Sequence, residues 1–170
     1  MTSLPLPPPL VGDAGRLAAL KETGVLDTGP ESAYDGVVLL ARTLCAAPVA
    51  LISLVAEERQ WFKARSGFGP EETSLDASVC SHALGGVGLL IIPDLMQDDR
   101  TRDNPLVIAG PRLRFYAGAP LRTADGHALG TVCVLDSVPR PAGLTPEQAE
   151  GLQALATLVM ALLAARRMAG

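Results

Sequence analysis

The sequence is poor in the residues that build metal sites and disulfide frameworks. It contains two histidines and three cysteines in 170 residues. A structural zinc site uses four Cys or His ligands, so this supply does not favour zinc or another metal. The cysteines, Cys45, Cys80 and Cys133, are odd in number and far apart, which argues against a disulfide framework. Free thiols indicate a reducing compartment, and we expect a cytoplasmic protein.

An excess of basic residues is also missing. The chain has 14 Lys and Arg against 18 Asp and Glu, a net charge of −4. Nucleic-acid surfaces and polybasic membrane patches need clustered cations, so we expect neither partner. The N-terminus lacks the positively charged start of a signal peptide. The longest uncharged apolar run, residues 151–165, is shorter than the ~20 residues that cross a bilayer.

Hydrophobic residues are plentiful, at 48% of the chain against 19% charged. This composition predicts a folded chain, and its length suits one domain with a substantial core. Residues 1–12 form a proline-rich lead that we expect to be mobile or to lie on the surface. Residues 13–170 then form a single domain without internal repeats.

Spacing of apolar residues predicts two helices followed by strands. Asp13 is a candidate N-cap of the first helix, and Pro30 opens the second. Residues 48–55 are continuously apolar, which is typical of a strand covered on both faces. Residues 60–66 carry charges at alternate positions, which fits an edge strand.

Two later strands, residues 115–123 and 128–136, flank an Asp-Gly dipeptide typical of a two-residue hairpin turn. That turn would place Thr123 opposite Ala128 and Ala119 opposite Val132. Small residues interrupt this hairpin and leave volume above the sheet. A packed helix or a small ligand could fill the volume.

The last helix, residues 146–167, has a capping box made by Thr145 and Gln148, with Pro146 at its first position. It is more apolar than one core face needs, which predicts a homodimer seam. The seam candidates are Leu152, Leu155, Val159, Leu162 and Leu163. The order of elements predicts an α+β fold with an antiparallel sheet of five to six strands and helices on both faces.

With these elements placed, the sequence resembles the GAF domain family, and in particular the subgroup found as input domain of bacterial sensor kinases and cyclic-nucleotide-signalling enzymes. The resemblance covers residues 16–163 and depends on six segments in this order. They are Leu26-Asp27-Thr28, Arg59-Gln60-Trp61-Phe62-Lys63, Cys80-Ser81-His82-Ala83, Asn104-Pro105-Leu106-Val107, residues 114–121 (RFYAGAPL) and residues 130–136 (GTVCVLD). Val79 and Thr101 stand where the subgroup usually has Phe, so the pocket lining is expected to differ.

The resemblance implies a pocket between the sheet and its covering loops. Its candidate residues are Cys80, His82, Asp94, Arg100, Asn104, Arg114, Phe115, Tyr116, Thr131 and Cys133. Cys80 is open to thiol chemistry, chromophore attachment or metal binding, but a buried, inert cysteine is the favoured interpretation. Bilin-carrying relatives usually have histidine directly after the cysteine, where this chain has Ser81. We expect no cofactor, neither bilin nor haem.

Other pocket candidates also have structural interpretations. Tyr116 is equally well explained as a core residue or as a ligand contact. The arginines and aspartates of residues 94–114 are expected to form solvated ion pairs with one another. Trp61 and Phe62 lie on opposite faces of one strand, so one belongs to the core and the other could line the pocket.

Two functions remain open. The first is a sensory or regulatory domain without enzymatic activity, which binds a small ligand or protein partner and signals through its terminal helices as a homodimer. An output domain or a kinase partner would read the signal. We expect a stand-alone sensor or an excised input domain, because no output module follows Gly170. The alternative is a thiol reductase of the free methionine sulfoxide reductase type, with Cys80 as nucleophile and Cys133 or Cys45 resolving.

Overall fold

The computed structural model describes residues 9–169, so the predicted character of residues 1–8 lies outside it. The described chain contains helices α1 (Ala14–Glu22), α2 (Ser32–Cys45), α3 (Pro105–Ile108) and α4 (Pro146–Ala169). Its strands are β1 (Val49–Val55), β2 (Arg59–Ser66), β3 (Glu72–Ser74), β4 (Leu90–Ile92), β5 (Phe115–Arg122) and β6 (Ala128–Asp136). Short 3-10 helices cover Pro9–Gly12, Leu75–Ala77 and Cys80–Ala83.

The six strands form one antiparallel sheet in the order β3-β2-β1-β6-β5-β4. The predicted α+β class is confirmed. Every residue of β1 is buried, because the strand is central and both faces of the sheet are covered. Helices α2 and α4 pack on one face and form the helix-side core with it. Short helices and loops cover the opposite face and form the loop-side core.

A buried arginine, Arg16, anchors the start of the domain, and this role was not predicted from the sequence. Asp13 caps α1 as predicted, accepting a hydrogen bond from the Arg16 amide. The Arg16 guanidinium is buried and donates to the carbonyls of Leu10, Val11 and Ala128. Val11 is itself buried, whereas Leu10 and Gly12 are exposed, so residues 10–12 lie along the surface with one side chain anchored in the core.

The alternating charges of β2 had indicated an edge strand, but β2 does not lie at the edge of the sheet. The three-residue strand β3 pairs outside it, and Lys63 is buried. Ile52 pairs with Ala64 and Ser53 with Phe62, so Lys63 is an extra residue in a β-bulge. The bulge turns its ammonium towards Thr28, Gly29 and Glu31, which accept its hydrogen bonds.

The β5–β6 hairpin has a longer turn than predicted. Ala119 lies opposite Val132 as expected, but Arg122, not Thr123, pairs with Ala128. The one-residue shift leaves a three-residue loop, residues 124–126, which the hydrogen bond from the Thr123 amide to the His127 carbonyl closes. Gly126 has φ of +89° in that loop, which is typical of a turn that ends in a glycine bulge.

Helix α4 runs two residues beyond the predicted end, to Ala169. Its capping box forms as predicted, since the Thr145 amide donates to Gln148 and the Gln148 amide to the Thr145 hydroxyl. By length and composition alone the helix is apolar enough to span a membrane, which the shorter run in the sequence had not indicated. One of its faces, however, packs into the helix-side core.

The predicted seam residues of α4 are therefore corrected. Leu152, Leu155, Val159 and Leu163 are buried in the core, and Leu162 is partly buried against it. The four buried side chains are covered by the domain's own core, so they do not form an exposed seam. Among the described residues, α4 exposes the large apolar side chains of Leu158, at 53% of its surface, and of Met168 near its end.

Candidate functional site

Four of the ten predicted pocket residues meet at one point in the loop-side core. Cys80 begins a 3-10 helix that lies against β1, β5 and β6. Its sulfur accepts hydrogen bonds from the hydroxyls of Thr131 (3.1 Å) and Tyr116 (3.3 Å). The sulfur of Cys133 lies 3.8 Å away. The four side chains are almost entirely inaccessible to solvent.

Tyr116 fills the volume that the small residues of the hairpin leave. Tyr116 and Gly118 are two positions apart on β5, so they face the same side of the sheet. The phenol lies over Gly118, where a β-carbon would collide with the Tyr116 hydroxyl. The volume above the hairpin, for which a small ligand was one predicted occupant, is thus filled by the protein's own aromatic ring.

The hydrogen bonds at Cys80 favour its ionised form. Burial alone would raise the pKa of the Cys80 thiol, but hydrogen bonds from Cys133, Thr131 and Tyr116 outweigh it and lower that pKa to about 6. Burial and the neighbouring Cys80 sulfur raise the pKa of Cys133. One thiol of the pair is therefore poised to ionise and the other to stay protonated.

A small cavity adjoins this cluster. Its volume is about 20 Å³, and Cys80, Tyr116, Gln60 and Phe62 are among its lining residues. One water molecule needs roughly 10–15 Å³ measured in this way, so the cavity admits little more than one water. Phe62 is thus the pocket-side aromatic, while Trp61 belongs to the helix-side core.

A buried polar network lies beside the cysteines and was not predicted from the sequence. The Gln60 side-chain carbonyl accepts hydrogen bonds from Ser53 and Ser78, each at 2.9 Å, and its amide donates to Thr73 at 3.0 Å. The only signal was that Ser53 interrupts an otherwise apolar strand. The network ties β1 and β2 to the segment before Cys80.

Four other predicted pocket residues lie in the helix-side core or form hydrogen bonds with the backbone. Phe115 faces the helix-side core, under the Arg140 guanidinium at 5.0 Å from its ring. The Asn104 side chain caps α3, and the Asp94 side chain accepts a hydrogen bond from the Met96 amide in the covering loop. Arg114 donates to the carbonyls of Val107 and Leu113. None of these four side chains contacts the cysteine cluster.

The remaining two candidates lie at the outer surface of the covering loops. Arg100 is exposed and pairs with Asp98 at 2.7 Å, as expected for a solvated ion pair. His82 is half-buried beside them, and burial followed by the positive charge of Arg100 lowers its pKa. Within residues 9–169, no group of three or more His, Cys, Asp or Glu is arranged to hold a metal ion.

Comparisons with known proteins agree on the fold. The GAF domain model matches residues 29–163. A cyclic di-GMP phosphodiesterase of Pseudomonas aeruginosa is 39% identical over 155 residues, which are 91% of this chain and 26% of that protein. The chain thus spans about a quarter of this curated relative's length.

Solved structures show the same architecture. The GAF domain of an Acinetobacter phosphoenolpyruvate-protein phosphotransferase has a TM-score of 0.67 at 15% identity, over 93% of this chain and 98% of that one. The free methionine-R-sulfoxide reductase of Neisseria meningitidis has a TM-score of 0.64 at 14% identity, over 100% of both chains. At such identities the likeness shows the fold alone.

Proposed function

This chain belongs to the GAF domain family, and we propose from that premise that it is a cytoplasmic regulatory input domain of a bacterial signalling protein. It conveys the binding of a small molecule or a protein partner to its terminal helices. The cyclic di-GMP phosphodiesterase relative indicates the setting, a protein whose output acts in cyclic di-GMP signalling. Catalysis would then belong to that output and not to this domain.

The observation that supports this proposal most is the two-faced placement of β5 and β6. These strands present Tyr116, Thr131 and Cys133 to the loop-side core. Their alternate residues, including Ala117 and Val134, pack in the helix-side core with α2 and α4. A displacement at the cysteine cluster therefore reaches α4 through the thickness of one strand.

The covering layer, residues 75–114, is the part of the domain best suited to receive an effector. It contains only two 3-10 helices, the three-residue β4 and the four-residue α3. Segments with few regular hydrogen bonds open at lower free energy than core strands do. An effector that binds this layer or displaces Tyr116 would have to rearrange short loops and not the sheet.

Dimerisation through α2 and α4 is the second part of the proposal. Leu40 and Leu44 of α2 and Leu158 of α4 are exposed by 56%, 36% and 53%. Residues 151–165 of α4 carry no charge, even on the face that solvent reaches. Depletion of charge around exposed leucines is the pattern of an interface centre, and a second copy of the same apolar face would cover it.

The reductase alternative has one observation in its favour, the short distance between Cys80 and Cys133. Cys45 lies in the helix-side core, so Cys133 would be the resolving thiol. The 20 Å³ cavity beside Cys80, however, does not admit an amino-acid sulfoxide. We expect no turnover of free methionine sulfoxide. Turnover that Cys80→Ser abolishes would establish the reductase instead.

A thermal-shift screen followed by hydrogen exchange tests the regulatory proposal. An effector at 100 times its Kd stabilises a protein by about 2.7 kcal/mol, which raises Tm by about 5 °C or more in a domain of this size. We expect such a hit among nucleotides, amino acids or carboxylates, or a partner protein with the same effect. The bound effector should slow or speed amide exchange in α4 as well as in residues 75–114.

Variants locate the effector. Tyr116→Phe should change its affinity, whereas Arg102→Ala on the exposed loop should not. An effector that stabilises the domain but leaves amide hydrogen exchange in α4 unchanged would contradict transmission of the signal through the sheet. If neither small molecules nor partner proteins stabilise the chain, the regulatory proposal is wrong and a purely structural domain remains.

A further inference from the structure

Two buried thiols from distant parts of the chain lie close enough to react with one another. The sulfurs of Cys80 and Cys133 are 3.8 Å apart, whereas a disulfide bond is about 2.05 Å long. Cys133 lies on the central strand β6, paired on both sides. Cys80 begins a four-residue 3-10 helix that is followed by an exposed loop, residues 85–88. The closing movement therefore belongs to Cys80.

The hydrogen-bond donors around the two sulfurs favour Cys80 as the nucleophile. The hydroxyls of Thr131 and Tyr116 both donate to Cys80, and the Cys133 thiol can donate to it as well. Three donors around one sulfur suit a thiolate, which is the reactive form of cysteine. The other titratable groups near it are Cys133, Tyr116 and, two positions along its own helix, His82.

The cavity beside Cys80 selects the oxidant by size. At about 20 Å³ it exceeds the roughly 10–15 Å³ that one water needs, and its lining includes the Cys80 thiol and the polar Gln60. Among thiol oxidants, hydrogen peroxide is close to this size, whereas an organic disulfide is several times larger. We propose that Cys80 and Cys133 form an oxidation site for hydrogen peroxide, with a disulfide between them as its product.

The chemistry proceeds in two displacements. The Cys80 thiolate attacks one peroxide oxygen, so that the S–O bond forms, the O–O bond breaks and hydroxide leaves; the sulfur is oxidised and the peroxide reduced. The Cys133 thiol then attacks the sulfenic sulfur. The S–S bond forms, the S–O bond breaks, and the departing hydroxide takes the Cys133 proton to become water.

Formation of the disulfide would change both faces of the sheet. Thr131 and Tyr116 lose the thiolate that accepts their hydrogen bonds, and the Cys80–Ala83 helix moves towards β6. The same segment of β6 packs its alternate residues, Val132 and Val134, in the core shared with α4. Peroxide would thus act on the route proposed for an effector.

Mass spectrometry of the full chain tests the site. After treatment of the reduced protein with hydrogen peroxide, we expect titratable thiols to fall from three to one and a peptide that links Cys80 to Cys133. Cys133→Ser should accumulate a sulfenic acid at Cys80, trapped as a dimedone adduct. Cys45→Ser is the matched control and should form the disulfide at the wild-type rate.

A donor variant tests activation without removing either cysteine. Thr131→Val keeps the shape of the side chain, and oxidation at pH 7 should slow by about tenfold because the thiolate fraction falls. Tyr116→Phe provides the same comparison if Thr131→Val does not fold. A folded wild-type protein whose Cys80 stays unmodified in excess peroxide would overturn the proposal, as would a product that links Cys45.

Discussion

At the scale of single residues, the loop-side core depends on one aromatic ring lying over a residue without a side chain. Tyr116 reaches Cys80 only because Gly118 leaves room for its phenol. Gly118 of β5 therefore provides space for a neighbouring side chain.

Gly118→Ala tests this arrangement. The new methyl group would displace the Tyr116 ring from Cys80 and Thr131, and overpacking of this kind costs about 1–3 kcal/mol. Urea unfolding should show the loss. Gly36→Ala in α2 is the matched control, because nothing lies within 4 Å of the added carbon. That change should stabilise the protein by up to about 1 kcal/mol. Equal effects of the two substitutions would contradict the contact.

A second residue-scale prediction concerns Glu31, whose carboxylate accepts hydrogen bonds from Lys63 and Arg166. Its hydrogen bond with Lys63 first, and the charge of both cations, lower the pKa of Glu31 below that of the unfolded chain. The ion pair therefore stabilises the fold above the unfolded pKa of ~4.3, and this stabilisation is lost as pH falls through the lower folded value.

The difference in unfolding free energy between wild type and Glu31→Gln should be positive at pH 7 and approach zero as pH falls through the lowered folded pKa of Glu31. Denaturant titrations across this range measure it. Asp35→Asn, a change in the same helix, controls for general loss of negative charge. A difference that does not vary with pH would show that Glu31 stabilises the fold by packing alone.

Single residues could be predicted from the sequence where their contacts are local. Asp13 caps α1 because its side chain reaches an amide three residues away. The meeting of Cys80 with Cys133 spans 53 positions and depends on how the covering layer folds back over β6. Phe115 was assigned to the wrong face because alternation along a strand does not say which side holds the pocket.

At the scale of elements, α4 owes its well-defined start to reciprocal hydrogen bonds between Thr145 and Gln148. Thr145→Ala should cost about 1 kcal/mol, because it leaves an amide of the first turn without its acceptor. Chemical denaturation measures the loss. Thr157→Ala, in the exposed middle of the same helix, should change stability by less than about 0.5 kcal/mol. Similar losses at both positions would contradict a specific role of the cap.

The elements that could be predicted were those whose signal lies within one segment. Strand β1 and the capping box of α4 are of this kind. Strand β3 has three residues and no apolar alternation, and exists because β2 offers it a free edge. The hairpin turn was placed correctly, but its length was not, since a bulge shifts the register near Pro120.

At the scale of the whole molecule, the exposed leucines of α2 and α4 predict a dimer. Leu158→Glu places a charge at the centre of the proposed interface, and burial of an unpaired charge is costly. Sedimentation should show a wild-type dimer and a monomeric variant. Ile108→Glu, which alters an apolar residue of α3 exposed by 59%, is the control and should leave the dimer intact. A wild-type monomer at high concentration would contradict the interface.

Glu31 joins two parts of this molecule that the chain keeps far apart. One carboxylate holds the ammonium of the β2 bulge and the guanidinium at the end of α4, 135 residues later. Loss of that carboxylate would free the last turn of the helix to fray, and its amide hydrogens would exchange faster than those around Leu152. The end of α4 is therefore not an independent tail, since a charge carried at the start of α2 helps to hold it in place.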